Sequence, residues 1–280
     1  MSIAESLMHS TIRIVSKDDN GETIGTGTGF FYQILCDIEK KTNVIVIVTN
    51  KHVVEQGSGV ELIFNIRGKD GKPVLNDHQT FYLPKSDKLW INHPETDVDL
   101  CILPIGTLLN LAMSKNVHLL AIPFPEKIIP AAEELSKFTA IEEIVTVGYP
   151  NGIWDEVNNL PIIRKGITAT HPSIDYTGKK IFLIDAGIYP GSSGSPVLLY
   201  NSTSYADSTG EIYFGDRIHL LGIVYATFNN IGTGKVYIDK ENDVLFTTPN
   251  HLGLVIKAEK LKDFKPIIKQ IVKKIPQGHI

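Results

Sequence analysis

The hydrophobic positions of this chain fall in short runs separated by turn residues. Thr11–Ser16, Gly29–Ile34, Asn43–Thr49, Val60–Ile66, Thr80–Leu83 and Leu100–Ile105 are rich in Val, Ile, Thr and Phe. β-Branched and aromatic side chains fit a pleated, half-buried surface, so each run predicts a strand. A second set follows at Ile144–Gly148, Ile162–Ala169, Lys180–Ile184, Pro196–Tyr200, Ile218–Tyr225 and Leu252–Ala258. Two such sets predict an all-β fold of two six-stranded β-barrels rather than a βαβ sheet.

The pattern breaks in two places. Pro123, Pro125 and Pro130 punctuate residues 123–143 and mark an inter-barrel connection, with a helical turn at Ala131–Ser136. Further on, Leu261, Phe264, Ile268, Ile271, Val272 and Ile275 recur at helical spacing, with lysines filling most of the other face. This predicts a C-terminal α-helix docked on the barrel. Pro266 fits only a first turn, so the regular helix should start near Lys265. The expected organisation is therefore an N-terminal barrel over residues 1–122, a linker over 123–143, a C-terminal barrel over 144–258, and a helix and tail over 259–280.

Composition narrows the function classes. Of 280 residues, 42% are hydrophobic and 21% charged, enough apolar surface for an ample core. A net charge of −4 supplies no basic field for nucleic acid or an anionic membrane. No apolar stretch approaches the length of a membrane span, and the first residues lack a signal-peptide pattern. The expected location is cytoplasmic. Cys36 and Cys101, each inside a strand-like run, read as buried reduced thiols, too few for a disulfide framework or a metal centre. The run Gly25–Gly29 lacks the Gly-Lys-Ser/Thr that a phosphate loop requires. No metal or cofactor is expected.

Three segments carry candidate chemistry. In Asp185-Ala-Gly-Ile-Tyr-Pro-Gly-Ser-Ser-Gly-Ser-Pro-Val197, Pro190-Gly191 sets a sharp turn and small residues continue to Ser195 before a strand begins. A serine on such a turn can present its hydroxyl outward with neighbouring N–H groups pointing the same way, as an acyl-transfer nucleophile with an oxyanion hole requires. It is not the Gly-x-Ser-x-Gly elbow, because Ser195 follows Ser193 at that spacing and no helix comes next. His52 stands just past a strand end, where a base is well placed. Asp97 and Asp99 precede an apolar strand and could orient a histidine ring. Their equal parity along a strand leaves the choice between them open. The order is His, Asp, Ser, with His and Asp in the first set of strands and Ser in the second, so the site would straddle the cleft.

Several stretches, in order, resemble the trypsin-like (chymotrypsin-fold) serine peptidases, especially bacterial HtrA/Deg-type catalytic domains. They are Gly27-Thr-Gly-Phe30, Thr49-Asn-Lys-His-Val-Val54, Asp97-Val-Asp-Leu100, Gly148-Tyr-Pro150, Arg164-Lys-Gly-Ile167, Pro190-Gly-Ser-Ser-Gly-Ser-Pro196 and Leu221-Gly-Ile-Val-Tyr225. The resemblance spans about residues 10–258 and leaves no room for a PDZ domain after it. It selects Asp97, as the first residue of an Asp-hydrophobic-Ala-Leu motif, and Ser193 as nucleophile.

The resemblance implies a serine endopeptidase with the triad His52, Asp97 and Ser193, and an oxyanion hole from the N–H groups of Gly191 and Ser193. It implies a substrate pocket with Gly187 at its base, Tyr225 on the strand that lines it, Thr227 on one wall and Gly253 on another. With no acid at the base, small or medium aliphatic residues are expected at the cleaved position. Two departures stand out. Ser195 replaces a glycine, and Ser192 replaces an Asn or Asp, which argues against activation by a newly cut N-terminus. The expected partners are a polypeptide substrate and an activating protein that would order the oxyanion loop. A non-catalytic binding module on the same fold and a serine esterase are the competing readings.

Overall fold

The computed structural model describes residues 1–37, 42–86, 88–238 and 240–274. Nine strands form the first half: β1 (Thr11–Lys17), β2 (Thr23–Asp37), β3 (Thr42–Thr49), β4 (Gly59–Arg67), β5 (Pro73–Pro84), β6 (Ile91–Asn92), β7 (Cys101–Pro104), β8 (Leu119–Leu120) and β9 (Phe124–Pro125). They pair in the order β5-β4-β1-β2-β3-β7-β6, with β8 on β4 and β9 on β2. The first barrel expected from the sequence is therefore an open nine-stranded sheet: among the described residues no pairing joins β5 to β6.

The reason is local. β6 is two residues long and runs straight into His93-Pro94, and a proline has no N–H to give a ladder. β5, at the other edge, is mostly exposed.

The second half matches the expected barrel. β10 (Glu143–Gly148), β11 (Ile162–Thr168), β12 (Ile181–Asp185), β13 (Pro196–Asn201), β16 (Arg217–Ile238) and β17 (Lys240–Lys257) close in the order β10-β11-β12-β17-β16-β13. Ile144, Phe182, Ile184, Val197, Leu199 and Val255 fill its interior with no exposure. A small hairpin, β14 (Ser204–Ala206) with β15 (Ile212–Phe214), stands apart from it. β16 and β17 outrun the barrel as a two-stranded ribbon, paired from Asn229↔Pro249 to Ile238↔Lys240.

One core joins the halves. Phe30, Val46, Val48 and Ile102 pack with Val147, Leu198, Leu220 and Ile223, and the same cluster takes in Leu261, Phe264 and Ile268. The C-terminal helix, Phe264–Lys274, starts with Pro266 in its first turn, as the sequence requires. Phe264 and Ile268 are buried, each worth roughly 1.5–3 kcal/mol, while Ile271 is partly open to solvent. Ile275 and the tail to 280 lie outside the described residues. The turn expected at Ala131–Ser136 is the helix Ala132–Leu135. Gly106–Ser114 forms a helix the strand pattern did not indicate. Both cysteines are free, Cys101 buried and Cys36 partly so.

Candidate active site

β3 ends at Thr49, and Asn50 opens a one-turn helix, Lys51–Val54, that carries His52. The short helix fixes the ring: Val53 and Val54 are buried beneath it, and the imidazole stays 43% exposed.

The carboxylate facing this ring is Asp99. Its Oδ2 lies 2.5 Å from His52 Nδ1, and its Oδ1 accepts from the His52 backbone N–H at 3.2 Å. Asp97 is exposed and, among the described residues, makes no hydrogen bond or ion pair. The structure thus brings Asp99 to the imidazole and leaves the expected Asp97 facing solvent. The buried Asn50 donates to the Asp99 carbonyl at 2.7 Å, and Lys51 Nζ donates to the Thr96 carbonyl at 3.0 Å. The two bonds fold the acidic turn so that its last aspartate reaches the histidine.

The same motif reads as well from Asp99, in Asp99-Leu-Cys-Ile102, where the small Cys101 takes the alanine place. Burial pushes the Asp99 carboxyl up, but bonds from the His52 ring, its charge, and the His52 and Lys51 backbone N–H groups outweigh this. The carboxyl sits below its ordinary range. Burial and the Asp99 charge together push the Tyr225 hydroxyl up, placing Tyr225 within the field of that carboxylate.

Ser193 is partly exposed on the turn before β13. Thr28, fully buried on β2, ties this turn to the histidine strand. Its N–H donates to the Ser193 carbonyl at 2.9 Å, and its own carbonyl accepts from Thr49 Oγ1 at 2.7 Å. Its hydroxyl donates to the Gly191 carbonyl at 2.9 Å and accepts from the Tyr149 N–H at 3.1 Å. Gly194, at φ +87°, lies against the same spot: an added Cβ would run into the Thr28 carbonyl and come within 2.6 Å of Thr49 Oγ1. Thr28 thus ties the Ser193 turn to the end of the strand that leads into His52, and among the described residues no hydrogen bond joins Ser193 Oγ to the His52 ring. Thr28 lies within Gly27-Thr-Gly-Phe30, and nothing in the local sequence pattern marks its role.

The turn also leaves two N–H donors unpaired among the described residues. The Pro190 carbonyl accepts from the Asn151 N–H at 2.6 Å, and the Gly191 carbonyl is held by Thr28. In a trans peptide the N–H opposes the carbonyl, so anchoring Pro190 O turns the Gly191 N–H the other way. Gly191 sits at φ +87°, where a Cβ would press on the Tyr149 carbonyl at 2.5 Å. Among the described residues, neither the Gly191 nor the Ser193 N–H donates within the protein. Ser192, at the departure from Asn/Asp, closes the turn locally: its N–H donates to Tyr189 O at 3.0 Å, and its carbonyl accepts from Ser195 N at 3.0 Å. Ser195, at the departure from glycine, rests against Gly148, where a side chain would overlap its Oγ.

The residues expected to form a pocket gather next to this turn. Gly194 N donates to Val224 O at 2.8 Å, which brings β16 alongside, with Tyr225 and Thr227 following. Thr227 pairs with Gly253 across β16 and β17. Gly253 leaves room for Ile188, whose Cγ1 would lie 2.6 Å from an added Cβ. Thr227 Oγ1 donates to Leu252 O at 2.9 Å. Gly187, at φ +60°, meets an unexpected neighbour: Arg164, from β11, occupies the space a side chain at Gly187 would take. Among the described residues no group of three His, Cys, Asp or Glu side chains could hold a metal ion. None of their helices is long and apolar enough to cross a membrane.

The family model of the trypsin-like peptidase domain matches residues 27–203, and the chain belongs to that family. By structure it is similar to the Rv3671c protease from M. tuberculosis in its active form, at 18% identity and TM-score 0.46, over 92% of this chain and 80% of that one. It is also similar to the scabies mite inactivated protease paralogue S-I1, at 12% identity and TM-score 0.46, over 96% and 97% of the two chains. No curated protein matches the sequence.

Proposed function

We propose that this protein is a serine endopeptidase whose catalytic residues are His52, Asp99 and Ser193. The observation that carries the reading is the 2.5 Å pairing of His52 Nδ1 with Asp99 Oδ2, on a strand end that Thr28 ties to a serine turn with two undonated N–H groups.

In this mechanism Ser193 Oγ attacks the carbonyl carbon of a peptide bond while His52 Nε2 takes the hydroxyl proton. Asp99 holds the proton on Nδ1 and stabilises the imidazolium that results. The Gly191 and Ser193 N–H groups bind the oxyanion, and a donor so placed is typically worth about 3 kcal/mol. When the C–N bond breaks, His52 returns the proton to the leaving amine. Water, activated by the same imidazole, then hydrolyses the acyl-enzyme. Anchoring of Pro190 O and Gly191 O by the protein's own Asn151 and Thr28 supports a site that forms without an activating partner. Local closure of the Ser192 turn supports the same reading.

The aliphatic preference expected from Gly187 and Thr227 assumed a neutral base, and it does not account for the Arg164 guanidinium. A fluorophosphonate probe tests the nucleophile. Wild type should label and Ser193→Ala should not. Absence of label on the folded wild-type protein would overturn the reading and leave a binding module on this fold.

A further inference from the structure

We propose that Arg164 determines specificity, making the primary pocket select an acidic side chain, Glu or Asp, at the cleaved position. The inference rests on the peptidase reading for its setting. The argument begins with Gly187. It lies six residues before Ser193, on the loop that runs from β12 to the nucleophile turn, and it is buried at φ +60°. The wall strands β16 and β17 close over this loop through Gly253 and Ile188. A side chain at 187 would therefore help form the base of the pocket. Glycine supplies none, and Arg164 Nη2 occupies the place instead.

The guanidinium is held but not neutralised. Its Nε donates to the Ala186 carbonyl at 3.1 Å, and its Cζ lies 5.3 Å from the centroid of the Tyr189 ring. Both contacts fix the plane. Neither contact involves a carboxylate, and among the described residues Arg164 has no acidic partner. The adjacent Asp185 is exposed and makes no ion pair with it. A guanidinium has five N–H donors, and among the described residues one is used within the protein. The rest present the planar fork that pairs with a carboxylate through two parallel bonds. A half-buried cation without a counter-ion is costly to leave unpaired, so an incoming carboxylate gains more here than at the surface. An aliphatic side chain would bury the charge further and leave it unmatched, and a Lys or Arg side chain would add repulsion.

Two measurements test this. On Ser193→Ala protein, the affinities of product peptides ending in Glu, in the near-isosteric Gln and in Leu are compared by fluorescence polarisation. A charge-assisted, bidentate pair should favour the Glu peptide by about 10- to 100-fold. Adding Arg164→Gln should remove that preference by weakening the Glu peptide, while the Leu peptide binds as well as before or better. On active enzyme, a peptide library should show Glu or Asp dominant at the cleaved position. Equal binding of the Glu and Gln peptides, or a preference that survives Arg164→Gln, overturns the inference. The comparison of Glu, Gln and Leu peptides on Ser193→Ala protein keeps Arg164 in place, so a misfolded Arg164 variant does not block it. Fluorophosphonate labelling without acidic preference would sink this inference alone, whereas failed labelling of wild type with intact Glu-peptide selection would sink the peptidase reading and leave the pocket standing.

Discussion

Among the described residues, the hydrogen bonds of Thr28 tie the turn that carries Ser193 to the histidine strand, and Thr28→Val is the cleanest perturbation of them. Valine keeps the shape and the β-branched fit to a strand but removes the hydroxyl. Two groups lose their partner: the Gly191 carbonyl, held at 2.9 Å, and the Tyr149 N–H, held at 3.1 Å. Gly191 and Tyr149 are both buried, so water does not readily replace the lost bonds. At about 1–3 kcal/mol for each unsatisfied buried group, the variant should lose about 4 kcal/mol of stability. For a chain of this size that is a fall in Tm of roughly 10 °C.

The kinetic effect should be separate and smaller than loss of a whole oxyanion donor, because Asn151 still anchors the Pro190 carbonyl. Full loss of such a donor costs about 10²–10³ in kcat, so a loosened Gly191 should cost roughly 10- to 100-fold. The interaction acts in the transition state, so kcat and kcat/KM should fall together with KM nearly unchanged. The assay is steady-state hydrolysis well below the variant's Tm, with Thr28→Ser as the control that restores the hydroxyl. A folded Thr28→Val enzyme with kcat within about twofold of wild type would show that Gly191 orients itself without this bond.

The choice of aspartate gives a direct contrast. Asp99→Asn should cut kcat by about 10⁴-fold through the wrong histidine tautomer, while Asp97→Asn should leave it within twofold; the reverse ranking would return the role to Asp97. The same variant carries a pH signature. The Asp99 carboxyl is held below its usual range, so its stabilisation is present above the unfolded aspartate value of about 3.9 and is lost as pH falls through the lower folded value. The Tm gap between wild type and Asp99→Asn should therefore narrow in acid, and a gap that widens below pH 4 would contradict the assignment. Gly148→Ala should destabilise by about 1–3 kcal/mol, because the new methyl overlaps Ser195 Oγ and comes within 2.6 Å of Thr28 Oγ1. Ser195→Gly should restore part of that loss, and strict additivity in the double variant would rule out the contact.

Much of the fold was legible because its strands are short apolar runs bounded by turn residues, and β10 and β13 are buried along most of their length. Every strand of the second barrel had an apolar run, from Ile144 on β10 to Val255 on β17. The pairs too short to alternate were not legible. Ile91–Asn92, Leu119–Leu120 and Phe124–Pro125 are two residues each, and one of them decides whether the first sheet closes. Closure depends on which edges meet, and an edge strand that ends at His93-Pro94 carries no periodic signal of its own. The helix Gly106–Ser114 was hidden for a related reason: only Leu108 and Ala112 are buried along it, too few for a clear stripe.

The candidate site divides along the same line. His52 and Ser193 were readable because each sits where local chain geometry demands a particular composition. A strand end runs into a one-turn helix for the one, and a turn of small residues with glycines at φ +87° on either side serves the other. What joins them is non-local. Thr28 lies 165 residues before Ser193, and Arg164 reaches Gly187 from another strand. Neither contact imposes a pattern on its own neighbourhood. Asp97 and Asp99 show the limit most sharply. Alternation by two residues makes them equivalent, and a motif of hydrophobic and small positions fits from either start. Bonds from Asn50 and Lys51, some 45 residues upstream, fold the turn so that one carboxylate meets the imidazole and the other meets solvent. Residue types can therefore nominate a general base and a nucleophile from sequence, but the group that orients the base is selected by tertiary hydrogen bonds to the backbone that carries it.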